Sequence, residues 1–198
     1  MSKVFCGLAV SVDGYITGRD PRPGHGLGDG GQLFDWYFGG DTPSEVFDGF
    51  RLSAASVRFF DTIANRVGAT VAGRTTYDDS ERFGDEGAPH PTAPLFVLSH
   101  RPAPQMRGRQ TLVSTGIADA IEAARAAAGD KDVALMGGVI VSEALRAGLV
   151  DELILHQVPV LLGEGRPYFH TLPAHIQLRL IEAIPGPDVT HLHYDVVR

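Results

Sequence analysis

The sequence predicts one α/β domain built on a mixed sheet flanked by helices, and three observations carry that expectation. Short apolar runs rich in β-branched residues alternate with stretches of helical spacing from Val4 to Ala147. From Asp151 the spacing changes to period two on either side of the turn Pro185-Gly186-Pro187-Asp188, which predicts a closing antiparallel hairpin. The chain has 198 residues, a length typical of one domain, and no linker, repeat or low-complexity tract divides it, so residues 1–198 are read as a single unit.

Taken in order, Val4–Val12 is almost continuously apolar, as expected of a first strand buried on both faces. Asp13-Gly14 then marks a turn. Residues 19–40 combine many glycines with Pro21, Pro23 and the aromatics Phe34, Trp36, Tyr37 and Phe38, which reads as a long irregular loop of the kind that often serves as a lid. Ser53–Val67 reads as a helix, because Val57, Phe60, Ala64 and Val67 follow 3-4-3 spacing; Ser53 is placed to cap it and Gly68 to end it. Ala69–Gly73 is the next strand, running into Arg74-Thr75-Thr76-Tyr77, and Leu95–Leu98 is another, ending in Ser99-His100-Arg101-Pro102. Gln110–Val113 precedes a helix over 116–128, with Thr115 as the expected N-cap and Ile117, Ala120, Ile121 and Ala124 on one face. Val133–Met136 leads through Gly137-Gly138 into a helix that Gly148 stops. Leu153–Val158, Gln177–Ile184 and Val189–Val197 complete the chain, with Gln177–Arg198 as the hairpin, and this end is read as antiparallel.

Composition narrows the partners. The net charge is −7 and the only lysines are Lys3 and Lys131, which argues against nucleic acid, although a few arginines suffice for a nucleotide-sized anion. The single cysteine, Cys6, excludes an intramolecular disulfide framework or a thiolate metal cluster and suits a reducing cytoplasm. Met1–Val10 begins like a signal peptide, but Asp13 and Gly14 interrupt it, and nothing approaches the ~20 apolar residues of a membrane span. His191 and His193 share one face of the last strand, with Asp195 beyond them. That strand is expected to be exposed, no further ligand cluster is nearby, and no metal site is expected; His156 and His170 carry no signal of their own.

Three strand ends share one grammar: Gly73-Arg74-Thr75-Thr76, Ser99-His100-Arg101 and Gly137-Gly138-Val139-Ile140. In a parallel sheet these would lie along the carboxyl edge, where ligands bind and helix N-termini present free N–H groups to phosphate. Gly73, Gly137 and Gly138 would let backbone approach a pyrophosphate, Arg74 and Arg101 would supply guanidinium charge, and Thr75 and Thr76 hydroxyls. Taken singly, each junction is equally a tight turn beside a surface arginine; three in succession point to a dinucleotide. Gly24–Gly31 has superficially similar glycine spacing but follows no strand, so it is not read as a dinucleotide fingerprint.

Together with Leu98, Met136, Val150-Asp151-Glu152-Leu153, the segment Pro159–Gly165 and the first-strand signature Ser11–Ile16, these motifs resemble the dihydrofolate reductase superfamily. The closer likeness is to the reductase domain of the bifunctional deaminase-reductase of riboflavin biosynthesis. The resemblance implies a three-layer α/β/α architecture and an NADPH site. Gly73, Arg74, Thr75 and Thr76 would sit at the cofactor phosphates; Ser99, His100 and Arg101 would surround the adenosine 2′-phosphate. Gly137, Gly138, Val139 and Ile140 would wrap the pyrophosphate and nicotinamide side, with the two glycines joined by a cis peptide, and Ala9, Ile16 and Gly18 would face the nicotinamide. It further implies a homodimer, the C-terminal strands offering an edge for pairing.

The substrate end departs from dihydrofolate reductases, whose first long helix carries a carboxylate for the pterin ring. Here that neighbourhood is Ser56-Val57-Arg58, and Asp48 and Asp61 are the nearest acids. The deaminase half is absent too, since no His-x-Glu with paired cysteines occurs. The expected activity is therefore reduction of a small planar heterocycle, of the 5-amino-6-(ribosylamino)uracil phosphate type. The alternatives are a dihydrofolate or pteridine reductase, or an NADPH-binding protein without turnover. Arg19, Arg51 and Arg58 are the candidates for a substrate phosphate. Asp13 is the candidate catalytic residue, its other reading being the turn-former of Asp-Gly. Trp36, with Tyr37 and Phe38, forms either an aromatic wall over the substrate or a loop tucked onto the core.

Overall fold

A computed structural model describes residues 2–85, 87–102 and 104–197; Arg198, the last residue of the expected hairpin, lies outside the described residues. β1 (Val4–Ser11) leads into an irregular segment with one 3₁₀ turn over Gly31–Tyr37, then a small ribbon of β2 (Thr42–Pro43) and β3 (Arg51–Leu52). There follow α1 (Ala54–Arg66), β4 (Val67–Gly73), α2 (Arg74–Asp79), a second 3₁₀ turn (Glu81–Phe83), β5 (Leu95–Leu98) and β6 (Gln110–Val113). The chain ends with α3 (Ile117–Ala128), β7 (Asp132–Met136), α4 (Gly138–Arg146), β8 (Glu152–Val158), β9 (Leu178–Pro185) and β10 (Thr190–Val196).

Eight strands form one sheet in the order β6-β5-β4-β7-β1-β8-β10-β9. Every neighbour from β6 to β8 is parallel, and only β10 runs against its neighbours β8 and β9. The period-two segment therefore needs a correction: β8 is parallel to β1 on one side and antiparallel to β10 on the other. Because β10 is internal and β9 takes the edge, His191 and His193 are also buried rather than exposed.

Alternation along β1 explains its continuous apolarity. Val4, Cys6 and Val10 join the core under α3 and α4, with Ala120, Ile121, Ala124, Val141, Ala144 and Leu145. Phe5 joins Phe59 and Ile63 of α1 on the opposite face, and Ala9 joins Leu33 and Trp36. Burying a side chain such as Phe59 or Ile63 contributes roughly 1.5–3 kcal/mol, which is what holds each outer layer to the sheet.

Helix ends differ from expectation in two places. Ser53 does cap α1, its side chain accepting from Ser56 N–H at 3.2 Å. Gly68, however, stops nothing: α1 passes through Val67 straight into β4, and Gly68 lies in that strand at a register irregularity. A Cβ there would meet Lys131 Cβ at 2.6 Å and Ala128 Cβ at 2.8 Å, so its glycine serves close packing. In α3 the N-cap is Gly116 rather than Thr115, with no side chain capping the first turn. Gly148, at φ +66°, ends α4 as expected.

Candidate active site

The parallel strands β1, β4, β5 and β7 open at their carboxyl ends onto a single cleft of about 970 Å³. All three strand-end motifs meet there. Gly73, Arg74, Thr75 and Thr76 form one wall, Leu98, Ser99, His100 and Arg101 a second, and Met136, Gly137, Gly138, Val139 and Ile140 the floor. Residues more than 20 positions apart in sequence are brought together only because β4 lies between β5 and β7 in the sheet.

Local geometry explains the residue types. Gly137 has φ +98°, a backbone conformation that side chains disfavour, and a Cβ there would fall 2.4 Å from Thr76 Oγ1. Gly138 passes so close to the 167–168 backbone that a Cβ would lie 2.3 Å from Pro167 O. No side chain caps α4, so its first N–H groups are left for an anion at the cleft floor. The described residues contain no cis peptide, so the Gly137–Gly138 bond is trans, contrary to the implied cis form, and the positive φ of Gly137 makes the turn instead. A floor of glycine backbone beside a helix start, flanked by two guanidinium groups, fits a dinucleotide.

The charged lining is internally paired. Asp78 binds Arg74 Nε at 3.0 Å through both carboxylate oxygens and lies 3.3 Å from Arg101 Nη2. Arg166 pairs with the buried Asp79, and its Nη2 donates to Pro21 O at 3.2 Å, tying the glycine-rich segment to α2. Gly24, Gly26, Leu27 and Phe34 of that segment line the cleft opposite Ala9 and Ile16.

Three expected site residues are placed elsewhere. Gly18 is absent from the wall; a Cβ on it would overlap Asp29 Oδ1 at 2.0 Å, and the neighbouring Thr17 takes the lining position. Asp13 is exposed and does not line the cleft. Its carboxylate accepts from Ser11 Oγ at 2.6 Å, Gly163 N at 2.7 Å and Leu162 N at 3.1 Å. The Ser11 hydroxyl, with those two amides, holds it below the usual carboxylate range, so Asp13 pins the 162–163 loop. Trp36 is 4% exposed and packs in the core; Phe34, 42% exposed, is the aromatic of the cleft.

The nearest helix acid is likewise structural. Asp61 accepts from Ser44 Oγ at 2.5 Å and Glu45 N at 2.8 Å, anchoring the 44–47 loop, and no residue of α1 lines the cleft. Nor do Arg19, Arg51 or Arg58, the first of which pairs with Glu164. Arg166, Asp79, Thr17 and Phe34 escaped sequence reasoning. Two of them had a signal: Arg166 directly follows the Gly163-Glu164-Gly165 segment that carries part of the resemblance, and Phe34 belongs to the aromatic group of the lid-like loop.

Behind the cleft, His156 Nδ1 and His191 Nδ1 lie 2.8 Å apart, enclosed by Trp36, Phe59 and Phe60. Burial lowers both, His191 to about 4, and the neighbouring His191 pushes His156 down further. Among the described residues no group of three or more His, Cys, Asp or Glu is arranged to hold a metal ion, and no helix is long and apolar enough to cross a membrane.

The family described as the RibD C-terminal domain matches residues 2–191. Uncharacterized protein YwjB of Bacillus subtilis is 26% identical over 190 residues, 94% of each chain. Among solved structures, a putative riboflavin biosynthesis protein from Shewanella sp. PV-4 is 27% identical and superposes with a TM-score of 0.69 over the whole of both chains. A dihydrofolate reductase from Enterococcus faecalis, complexed with NADP(H), has a TM-score of 0.59 at 16% identity, covering 99% of this chain and 97% of its own. The architecture is thus dihydrofolate-reductase-like.

Proposed function

The chain belongs to the RibD C-terminal domain family, and from that premise we propose that it is an NADPH-dependent reductase of a small planar heterocycle, working in riboflavin biosynthesis in the cytoplasm. The observation that carries this reading is the convergence of the three strand-end motifs on one cleft. The backbone of Gly137 and Gly138 and the start of α4 would hold the cofactor pyrophosphate, and Arg74 and Arg101 the adenosine end. Ala9, Ile16, Leu27 and Phe34 would exclude water from the reacting end and stack on a flat ring.

NADPH supplies a hydride when bound. Reduction of a C=N bond takes that hydride at carbon and a proton at nitrogen. Water is the proton source in this reading, because Asp13 is committed to the 162–163 loop and the α1 acid, Asp61, to Ser44 and Glu45 outside the cleft. The same lack of an α1 carboxylate in the cleft disfavours a pteridine relative to 5-amino-6-(ribosylamino)uracil phosphate. In the test, NADPH is added to the protein and its absorbance followed on adding each of these two substrates. Oxidation with the pyrimidine and none with dihydrofolate is the expected result; binding without oxidation by either would leave a nucleotide-binding module.

The reading includes a homodimer. Edge strand β9 exposes Leu178, Leu180 and Ile181 at 41%, 53% and 47%, and an open apolar edge suits pairing with a second copy.

A further inference from the structure

The two guanidinium groups assigned above to the adenosine end come from different elements, Arg74 opening α2 and Arg101 in the turn after β5. Both converge on one carboxylate. Asp78 Oδ1 and Oδ2 each lie 3.0 Å from Arg74 Nε, Oδ2 lies 3.3 Å from Arg101 Nη2, and Arg74 Nη1 donates to Pro102 O at 2.9 Å. The side chains of Arg74 and Asp78 are only 18% and 24% exposed, so solvent and salt screen this contact less than a surface pair. Two cations and one anion leave a single net positive charge in the cluster.

A cradle made of the two arginines alone would penalise NADH. Its 2′-hydroxyl would leave the largely buried Arg74 and the more exposed Arg101, whose side chain is 55% exposed, side by side with no anion between them, an arrangement that costs free energy. Asp78 removes that penalty, since both arginines are already partnered before any nucleotide arrives. It also acts against NADPH, whose 2′-phosphate brings about −2 charge near neutral pH into contact with cations that a carboxylate already holds. The two effects add, and both narrow the difference between the cofactors.

We propose that Asp78 is the specificity-determining residue of the cofactor site, bridging Arg74 and Arg101 so that the cleft accepts NADH as well as NADPH with only a modest preference for the phosphorylated form. This rests on the cofactor reading above.

The test is isothermal titration of NADPH and NADH into the full chain, as wild type and as Asp78→Asn, which keeps the side chain's size and removes its charge. For wild type the two Kd values should fall within about tenfold; in Asp78→Asn the preference for NADPH should rise by about tenfold more, and the gain should shrink in ~1 M salt. A wild-type preference above about 100-fold, or equal changes in both Kd values on substitution, overturns the proposal, the latter making Asp78 a brace between α2 and the turn. If Asp78→Asn shows no cooperative thermal transition, the wild-type ratio decides alone. Wild-type protein that binds neither nucleotide overturns the reductase reading, and the role of Asp78 with it; binding of both with an unchanged ratio in the variant overturns only the latter.

Discussion

Acid should destabilise this protein well before its carboxylates titrate, because of the His156–His191 pair. The two Nδ1 atoms, 2.8 Å apart, are joined by one proton, donated by one ring and accepted by the other. A second proton would turn the acceptor into a donor facing a donor, inside a shell of Trp36, Phe59 and Phe60. His191 titrates at about 4 when folded against 6.5 ordinarily. A histidine held low favours the folded state fully above its ordinary value, and that contribution is lost as pH falls through about 6.5 toward 4. At about 1.4 kcal/mol per pKa unit the whole effect is about 3 kcal/mol, of which about 2 kcal/mol is gone by about pH 5. His156, lowered by burial and by His191, acts in the same direction.

The assay is urea unfolding at about pH 7.5 and about pH 5, comparing wild type with the double variant His156→Leu/His191→Phe. His191 stacks on Phe59 with centroids 5.1 Å apart, so a phenylalanine continues that stack, and replacing both partners of a hydrogen bond with apolar groups is close to neutral. His90, also lowered by burial, is common to both chains and cancels. Burial pushes Glu152 up, but hydrogen bonds from His193, Lys3 and Arg66 outweigh it and hold its carboxyl well below the usual range, outside this window. Wild type should lose about 2 kcal/mol more than the double variant over this interval. Equal losses in the two chains would refute the reasoning.

Other consequences follow from the cleft. Arg101→Ala should raise the Kd for NADPH by about tenfold, the worth of one charge-assisted contact, and leave that for NADH nearly unchanged; equal weakening of both would remove Arg101 from the phosphate. Gly137→Ala forces a side chain into φ +98° with its Cβ 2.4 Å from Thr76 Oγ1, so it should cost about 1–3 kcal/mol in thermal or urea unfolding and weaken nucleotide binding as well. Phe34→Ala and Trp36→Ala separate substrate wall from core. The first should raise KM with little change in unfolding midpoint, the second should cost about 3–5 kcal/mol of stability, and the reverse pattern would exchange their roles.

Local patterns in the sequence were enough for the strands of the eight-stranded sheet and for the three strand-end motifs that line the cleft. Leu95–Leu98 and Gln110–Val113 are strands over those residues, since a short apolar run between polar turns has few other ways to bury itself. The three glycine- or arginine-bearing junctions were legible because each combines a strand end with a residue type whose chemistry is local. What no local pattern contains is the partner across space. Gly68 has the position of a helix stop, and only the approach of Ala128 and Lys131 makes it a packing glycine. Asp13 has the position of a catalytic acid, and only the return of the chain at Leu162 and Gly163 engages it elsewhere. His191 and His193 had the period of an exposed last strand until β9 took the edge and buried them. The sequence by itself determined which segments become strands and which ends can face a phosphate, because hydrophobic period and glycine backbone freedom are properties of neighbours in the chain. The tertiary structure alone decided that Asp78 bridges two arginines, that Phe34 rather than Trp36 faces the cleft and that two histidines share a proton. Charge pairing and burial are set by distances between residues far apart in sequence, and the sheet order fixes those distances.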